Sequence, residues 1–216
     1  MSNKTKFNTK NKENDDFKKE VAYQLIESAL INGTITEEDF LNKKLLLKKV
    51  MNSIPKKDED LYFKIIHHYN ILKRAKQFTK EKDWNLVYMF YATYFEHLIN
   101  EIINVWCIKN NISDKGFKEL IRRVNLEDKF TWLLEILKLP TFNENHWATI
   151  KKISDKRNSY VHYKYPSEVA GKSLDADEIE WKKVKKNITK AVTYSKKYRN
   201  KVVINGVDKK IKSLLK

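Results

Sequence analysis

The chain has 216 residues, with 44 basic and 28 acidic side chains, and its net charge is +16 at neutral pH. Its 4 Gly and 3 Pro are too few for the frequent turns of a β-sandwich, and its single cysteine, Cys107, excludes an internal disulfide or a multi-cysteine zinc site. This composition predicts an all-α protein in a reducing, cytoplasmic compartment, whose positive charge favours a polyanionic partner.

The first 80 residues predict a tail followed by helices. Residues 1–12 are polar and lack hydrophobic periodicity, which is typical of a disordered tail. Thr36 is expected to cap the second helix, and Gly33 to end the first. The predicted helices are 15–32, 37–52 and 58–80. Together 13–80 form a set of additional N-terminal helices.

Residues 83–203 are expected to form a helical bundle, followed by a basic C-terminal end at 204–216. The strongest helix is 83–110, where apolar residues share one broad face. Its longest uncharged stretch, 84–95, is well short of the roughly 20 residues that cross a bilayer, so no membrane partner is expected. Further helices are predicted at 114–124, at 126–139 between the cap Asn125 and Pro140, from 143 to about 161, and through 181–202, with a loop at 164–176.

The positive charge is concentrated near the end of the chain. Residues 181–216 carry 13 basic side chains and one acid, Asp208, and so hold +12 of the +16. One interpretation is sequence-independent contact with RNA phosphates. The candidates are Lys164, Lys182, Lys183, Lys185 and Lys186. The alternative is compositional background, because 39 of the 44 basic residues are lysine.

Several familiar catalytic patterns are missing from the sequence. It has no glycine-rich phosphate loop and no Gly-x-Ser-x-Gly elbow. His67 and His68 are adjacent and would point about 100° apart on a helix, which is poor geometry for one metal ion. We therefore expect neither a metal nor a cofactor.

A short segment does combine groups suited to phosphodiester chemistry. Asn158 and His162 are four residues apart and share a helix face, and Arg157 is adjacent to that face. Arginine can form two hydrogen bonds to a phosphate, and histidine titrates near pH 6.5. The alternative is structural: Arg157 pairs with Asp155 or Glu168, and His162 caps the helix end.

This segment resembles the motif of the HEPN superfamily, in which an arginine and a polar residue are followed, after a few residues, by a histidine. The likeness rests on Arg157, Asn158 and His162, on the aromatic-rich helix 83–110, and on the stretch Leu126-Glu127-Asp128-Lys129-Phe130. It covers about 84–200. Members encoded beside a nucleotidyltransferase antitoxin often carry a tyrosine two places after the histidine, where this chain has Lys164.

The resemblance implies a HEPN-like four- to five-helix bundle that forms a homodimer. In many members the Arg and His of both protomers line one cleft, which is a metal-independent endoribonuclease site used in toxin–antitoxin modules, phage defence and RNA processing. Arg157 and His162 would then be catalytic, and Asn158 would support them. Glu96 is a weaker supporting candidate, because some members carry an inward-facing acid on the earlier long helix.

Three hypotheses remain open at this point. The first is a dimeric RNA endonuclease that leaves 2′,3′-cyclic phosphate and 5′-hydroxyl ends, with an antitoxin or regulatory protein as a further partner. The second is a non-catalytic RNA- or nucleotide-binding module with the same bundle. The third is a structural helical protein whose apolar seam at 181–202 docks a partner helix.

Overall fold

In the computed structural model the described residues are 3–54, 67–161 and 174–215, and all regular structure among them is helical. The all-α prediction is therefore confirmed. The helices are α1 (Asn3–Ile31), α2 (Lys43–Asn52), α3 (His67–Glu81), α4 (Trp84–Lys109), α5 (Asp114–Arg123), α6 (Leu126–Phe130), α7 (Trp132–Ile136), α8 (Glu144–Val161), α9 (Leu174–Ile204) and α10 (Asp208–Leu214). No helix in these ranges is long and apolar enough to span a membrane.

The chain divides into two compact units, one made of residues 1–63 and 203–216, the other of 64–202. The first unit contains α1, α2 and α10. Within it the Tyr23 hydroxyl donates a 2.8 Å hydrogen bond to Asp208, which ties α1 to α10. Gly33, with φ of +76°, follows α1 as the sequence predicts, because this left-handed conformation favours glycine.

Two predictions for the first unit differ from the structure. Residues 3–12, expected as a tail, are the beginning of α1. The stretch up to Gly33 contains neither Gly nor Pro, so nothing in it interrupts a helix that extends from the apolar part of α1. Residues 37–52 form a 3-10 turn (Glu38–Leu41) and then α2, because Asn42 is extended and its side chain caps α2 through the Leu45 N–H at 3.1 Å.

The expected cap residues were correct in one case and wrong in another. The Thr36 side chain caps nothing; its backbone N–H instead donates to the Asp39 carboxylate at 2.8 Å. Asn125 does cap the following helix, through the Asp128 N–H at 2.9 Å. That helix is divided, however, because Thr131 leaves helical geometry between α6 and α7.

The second unit is built around α4, as its apolar face predicts. Asp83 caps α4 through the Leu86 N–H at 3.1 Å. The helix packs against α3 on one side and α8 on another. Burial of each large apolar side chain contributes about 1.5–3 kcal/mol, so α4 supplies much of the core. Its fully buried large side chains are Tyr94, Phe95, Leu98, Ile99, Ile102 and Ile103.

The predicted seam of α9 is also buried. Trp181 stacks on Trp84 of α4 with ring centroids 5.8 Å apart. Further along α9, Arg199 is only 1% exposed and its Nε donates to Glu101 of α4 at 3.1 Å. The other buried seam residues are Ile188, Ala191, Ser195 and Tyr198.

Parts of two predicted elements lie outside the described residues. These are 58–66 of the third predicted helix and 164–173 of the predicted loop; the remainder of that loop, from Leu174, is the first turn of α9.

Candidate functional site

Helix α8 carries the Arg157 segment. Asn143 precedes it, and its side-chain oxygen accepts a 3.2 Å hydrogen bond from the His146 N–H. Ile150 and Ile153 are buried on the side of α8 that meets α4. Arg157 is one turn after Ile153 and therefore projects from the same side of the helix. The register of α8 thus directs this guanidinium towards α4.

Arg157 forms an ion pair with Glu96, which lies 61 residues earlier on α4. Its Nη2 donates to Oε2 of Glu96 at 3.1 Å, and the two side chains are 27% and 38% exposed. The structure therefore brings together two of the residues singled out from the sequence. The alternative pairing of Arg157 with Asp155 is not what forms, and Glu168 is outside the described residues.

The pairing with Glu96 uses only part of the hydrogen-bonding capacity of Arg157. A guanidinium has five N–H donors. The Nε of Arg157 is buried and has no hydrogen-bond partner among the described residues. The pair is also partly open to solvent, so a charged group can approach it without complete desolvation of either side chain. Arg157 thus retains N–H donors that its pairing with Glu96 does not use.

Lys129 is a member of the site that the sequence did not identify as functional. It lies on α6 and is 3% exposed, which is rare for a lysine. Burial lowers the pKa of its ammonium, and the negative charge of Glu96 acts in the opposite direction. Glu96 is therefore influenced by two cations, Arg157 and Lys129. Lys129 belongs to the stretch 126–130 that contributes to the resemblance, but its burial arises from tertiary packing and leaves no signal in the sequence.

The remaining motif residues are placed differently. Asn158 is exposed at the next position of α8, and no hydrogen bond joins it to Arg157 or Glu96. His162 and Lys164 lie outside the described residues. The catalytic role of His162 and the phosphate-binding role of Lys164 therefore stay predictions.

The candidate phosphate-binding lysines of α9 are all exposed. Lys182 is partly committed, since its ammonium lies 3.0 Å from Glu178. No ion pair to a described residue forms at the other three, Lys183, Lys185 and Lys186. They lie on α9, away from the buried seam, and none contacts the Arg157 pair.

The site offers a guanidinium, a carboxylate and a buried ammonium. In the described ranges, no group of three or more His, Cys, Asp or Glu side chains is arranged to hold a metal ion. No protein-family model, curated protein or solved structure matches this chain. The chemistry available is recognition and charge stabilisation of an anion, for which arginine geometry is well suited.

Proposed function

We propose that this protein is a metal-independent endoribonuclease of HEPN type that acts as a homodimer, in a toxin–antitoxin or phage-defence context. The observation that carries the proposal is the Arg157–Glu96 pair, which holds a guanidinium at a defined position on α8, and His162 follows Arg157 by five residues in the sequence. Arg157 would stabilise the charge that develops on the attacked phosphate. Glu96 would fix the orientation of Arg157.

The reaction is an internal transesterification. The ribose 2′-hydroxyl attacks the adjacent phosphorus, and the 5′-oxygen of the next nucleotide leaves. One proton leaves the 2′-hydroxyl and one is added to the departing oxygen, so the products are a 2′,3′-cyclic phosphate and a 5′-hydroxyl. The reaction balances without water or a cofactor. It does require one general base and one general acid near neutral pH.

A dimer supplies both proton carriers. Each chain has one histidine in the motif, so His162 of one protomer would accept the first proton and His162 of the partner subunit would donate the second. Dilution below the dimer dissociation constant should therefore reduce cleavage per chain, and mixing inactive Arg157→Ala with inactive His162→Ala protein should not restore the wild-type rate. A monomer that cuts RNA at the full rate would contradict the composite site.

The alternative is a binding module that does not cleave RNA. The predictions for His162→Ala separate the two, since a binding module would retain most of its affinity and an enzyme would lose turnover. The test is incubation of purified protein with mixed cellular RNA, comparing wild type with His162→Ala. Fragments produced only by the wild type would support the enzyme; intact RNA in both samples, with binding retained, would support the binding module.

A further inference from the structure

A groove of about 850 Å³ runs between α8 and α9, and all of its lining residues belong to the 64–202 unit. Helix α8 contributes a face that extends from Asn145 to Ser159, and α9 contributes residues from Glu180 to Lys190. Arg157 is not among the described residues that line it. The groove is therefore lined by residues other than Arg157 and Glu96, although its Ile153 lies on the side of α8 that meets α4.

Aromatic contacts made by α9 flank the groove. Trp181 packs on aromatic rings of α4, and Tyr194, later on α9, packs on Phe142 and His146. These anchors are 13 residues apart, or about 20 Å along the helix. The lining between them includes the small Ala148 and Val184 together with longer side chains such as Lys152 and Asn187. The groove follows this stretch of the two helices.

The groove has an apolar floor and a polar rim. Tyr88, Ile153 and Ile188 line it and are almost completely buried. On the rim, Lys156 and Glu180 neutralise each other through a 2.8 Å ion pair. Its volume is within the usual range for ligand sites, which combine apolar walls with a few polar groups. The groove can therefore accept a flat, partly apolar group.

Cations without ion pairs to described residues follow the groove. Lys152 and Lys190 line it, and both are exposed. A second cavity of about 330 Å³ shares Lys190 with the groove and adds Lys197, also exposed. The lining also contains one carboxylate outside an ion pair, Asp155, whose charge acts on Lys151. The balance of charge along the two cavities is positive, which suits an extended anion.

An aromatic pair lies where the two cavities meet. The His146 ring contributes to both cavities and is 4.5 Å from the ring of Tyr194, at an angle of 31°. Burial, and secondly the charge of Lys190, lower the pKa of His146. Both effects favour the neutral imidazole, which offers a donor, an acceptor and a flat face.

We propose that this groove binds single-stranded RNA, with nucleotides in both cavities. Lys152, Lys190 and Lys197 would contact successive phosphates, and the pair formed by His146 and Tyr194 would stack on a base. Alternating cations and flat rings are the usual means of holding single strands. The choice of RNA rests on the proposed function, but the binding itself requires no cleavage. In this proposal the groove lysines act as phosphate ligands, whereas the sequence-based candidates, which stay predictions, are Lys164, Lys182, Lys183, Lys185 and Lys186.

The test measures binding of a short fluorescent oligouridylate across a range of salt concentrations, in full-length protein carrying Arg157→Ala to prevent cleavage. The variant Lys152→Gln/Lys190→Gln is compared with Lys185→Gln/Lys186→Gln, which removes the same charge from exposed positions outside the groove. Each phosphate contact contributes about 0.7 to the slope of log K against log salt. We expect the groove variant to lower the slope by about 1.4 and the control to leave it unchanged. Equal slopes in the two variants would overturn the proposal.

Two further arms identify the ligand. His146→Ala should weaken binding at least about fivefold with no change in salt slope, because stacking is not electrostatic; unchanged affinity would overturn the assignment of the ring. Uridine monophosphate should compete only weakly. If it competes as well as the oligonucleotide, the ligand of the groove is a free nucleotide and not RNA. If the wild type cleaves RNA but the groove variant leaves the salt slope unchanged, only the groove proposal is refuted. If the groove variant lowers the salt slope but the wild type does not cleave RNA, only the endoribonuclease proposal is refuted.

Discussion

Helix α4 contributes the glutamates of two Arg–Glu pairs that lie in very different surroundings, and this contrast predicts different effects of substitution. Arg199 is 1% exposed where it meets Glu101, whereas Arg157 and Glu96 are 27% and 38% exposed. Replacement of a buried partner leaves a desolvated charge behind, which typically costs about 3–5 kcal/mol. A partly exposed pair is screened by water and contributes about 1 kcal/mol or less.

These energies convert into a measurable difference in thermal stability. In a chain of this size 1 kcal/mol corresponds to roughly 2–4 °C in Tm. Arg199→Met should therefore lower Tm by about 6–20 °C, and Arg157→Met by no more than about 4 °C. RNA cleavage should show the opposite order at a temperature where both proteins are folded: Arg157→Met abolishes it, and Arg199→Met retains it.

The assay combines thermal unfolding followed by circular dichroism with cleavage of a fluorescent RNA. Arg157→Lys serves as the matched variant, since it keeps the charge and loses the planar, two-pronged geometry. The reasoning would be refuted by an Arg157→Met protein as unstable as Arg199→Met, because Arg157 would then be a structural residue. Full cleavage by Arg157→Met would refute its role in the site.

Two further predictions concern Lys129 and His146. Lys129→Met should raise Tm, because it removes a buried ammonium whose pKa is lowered by burial. It should also reduce cleavage about tenfold, because the electric field at Glu96 changes. A lower Tm in scanning calorimetry would mean that the ammonium stabilises the fold. Because the pKa of His146 is lowered on folding, the unfolded chain takes up its proton at a higher pH than the folded chain does. The free energy of unfolding should therefore fall as the pH drops below about 6.5, and it should level off below the pKa of His146 in the folded protein. Urea unfolding between pH 7.5 and 5 should show a shallower decline for His146→Phe, and an identical decline would exclude this histidine as a source.

Periodicity accounts for most of the fold that could be predicted. The apolar faces of α4 and α9 indicate long helices, because a broad stripe repeated over several turns has no other stable arrangement. The breaks at Asn42 and Thr131 were not predicted. Asn42 competes for backbone hydrogen bonds through its own side chain, and a local competition of this kind leaves no periodic signal.

The candidate site was predictable only where the chemistry is local. Arg157 was identified from its neighbours in the sequence, and Glu96 from a resemblance. Their 3.1 Å contact joins residues 61 positions apart and depends on how α8 packs against α4. Lys129 was missed for the same reason, because only tertiary packing makes one lysine among 39 a buried one. The apolar floor of the groove likewise consists of residues that the sequence marks simply as core.

The most direct test of the central claim is analysis of RNA ends after incubation with the purified protein in excess chelator. Cleavage should persist, the fragments should carry 2′,3′-cyclic phosphate and 5′-hydroxyl ends, and Arg157→Ala and His162→Ala should produce none of them. Cleavage that depends on added magnesium, or fragments with 5′-phosphate ends, would contradict the account.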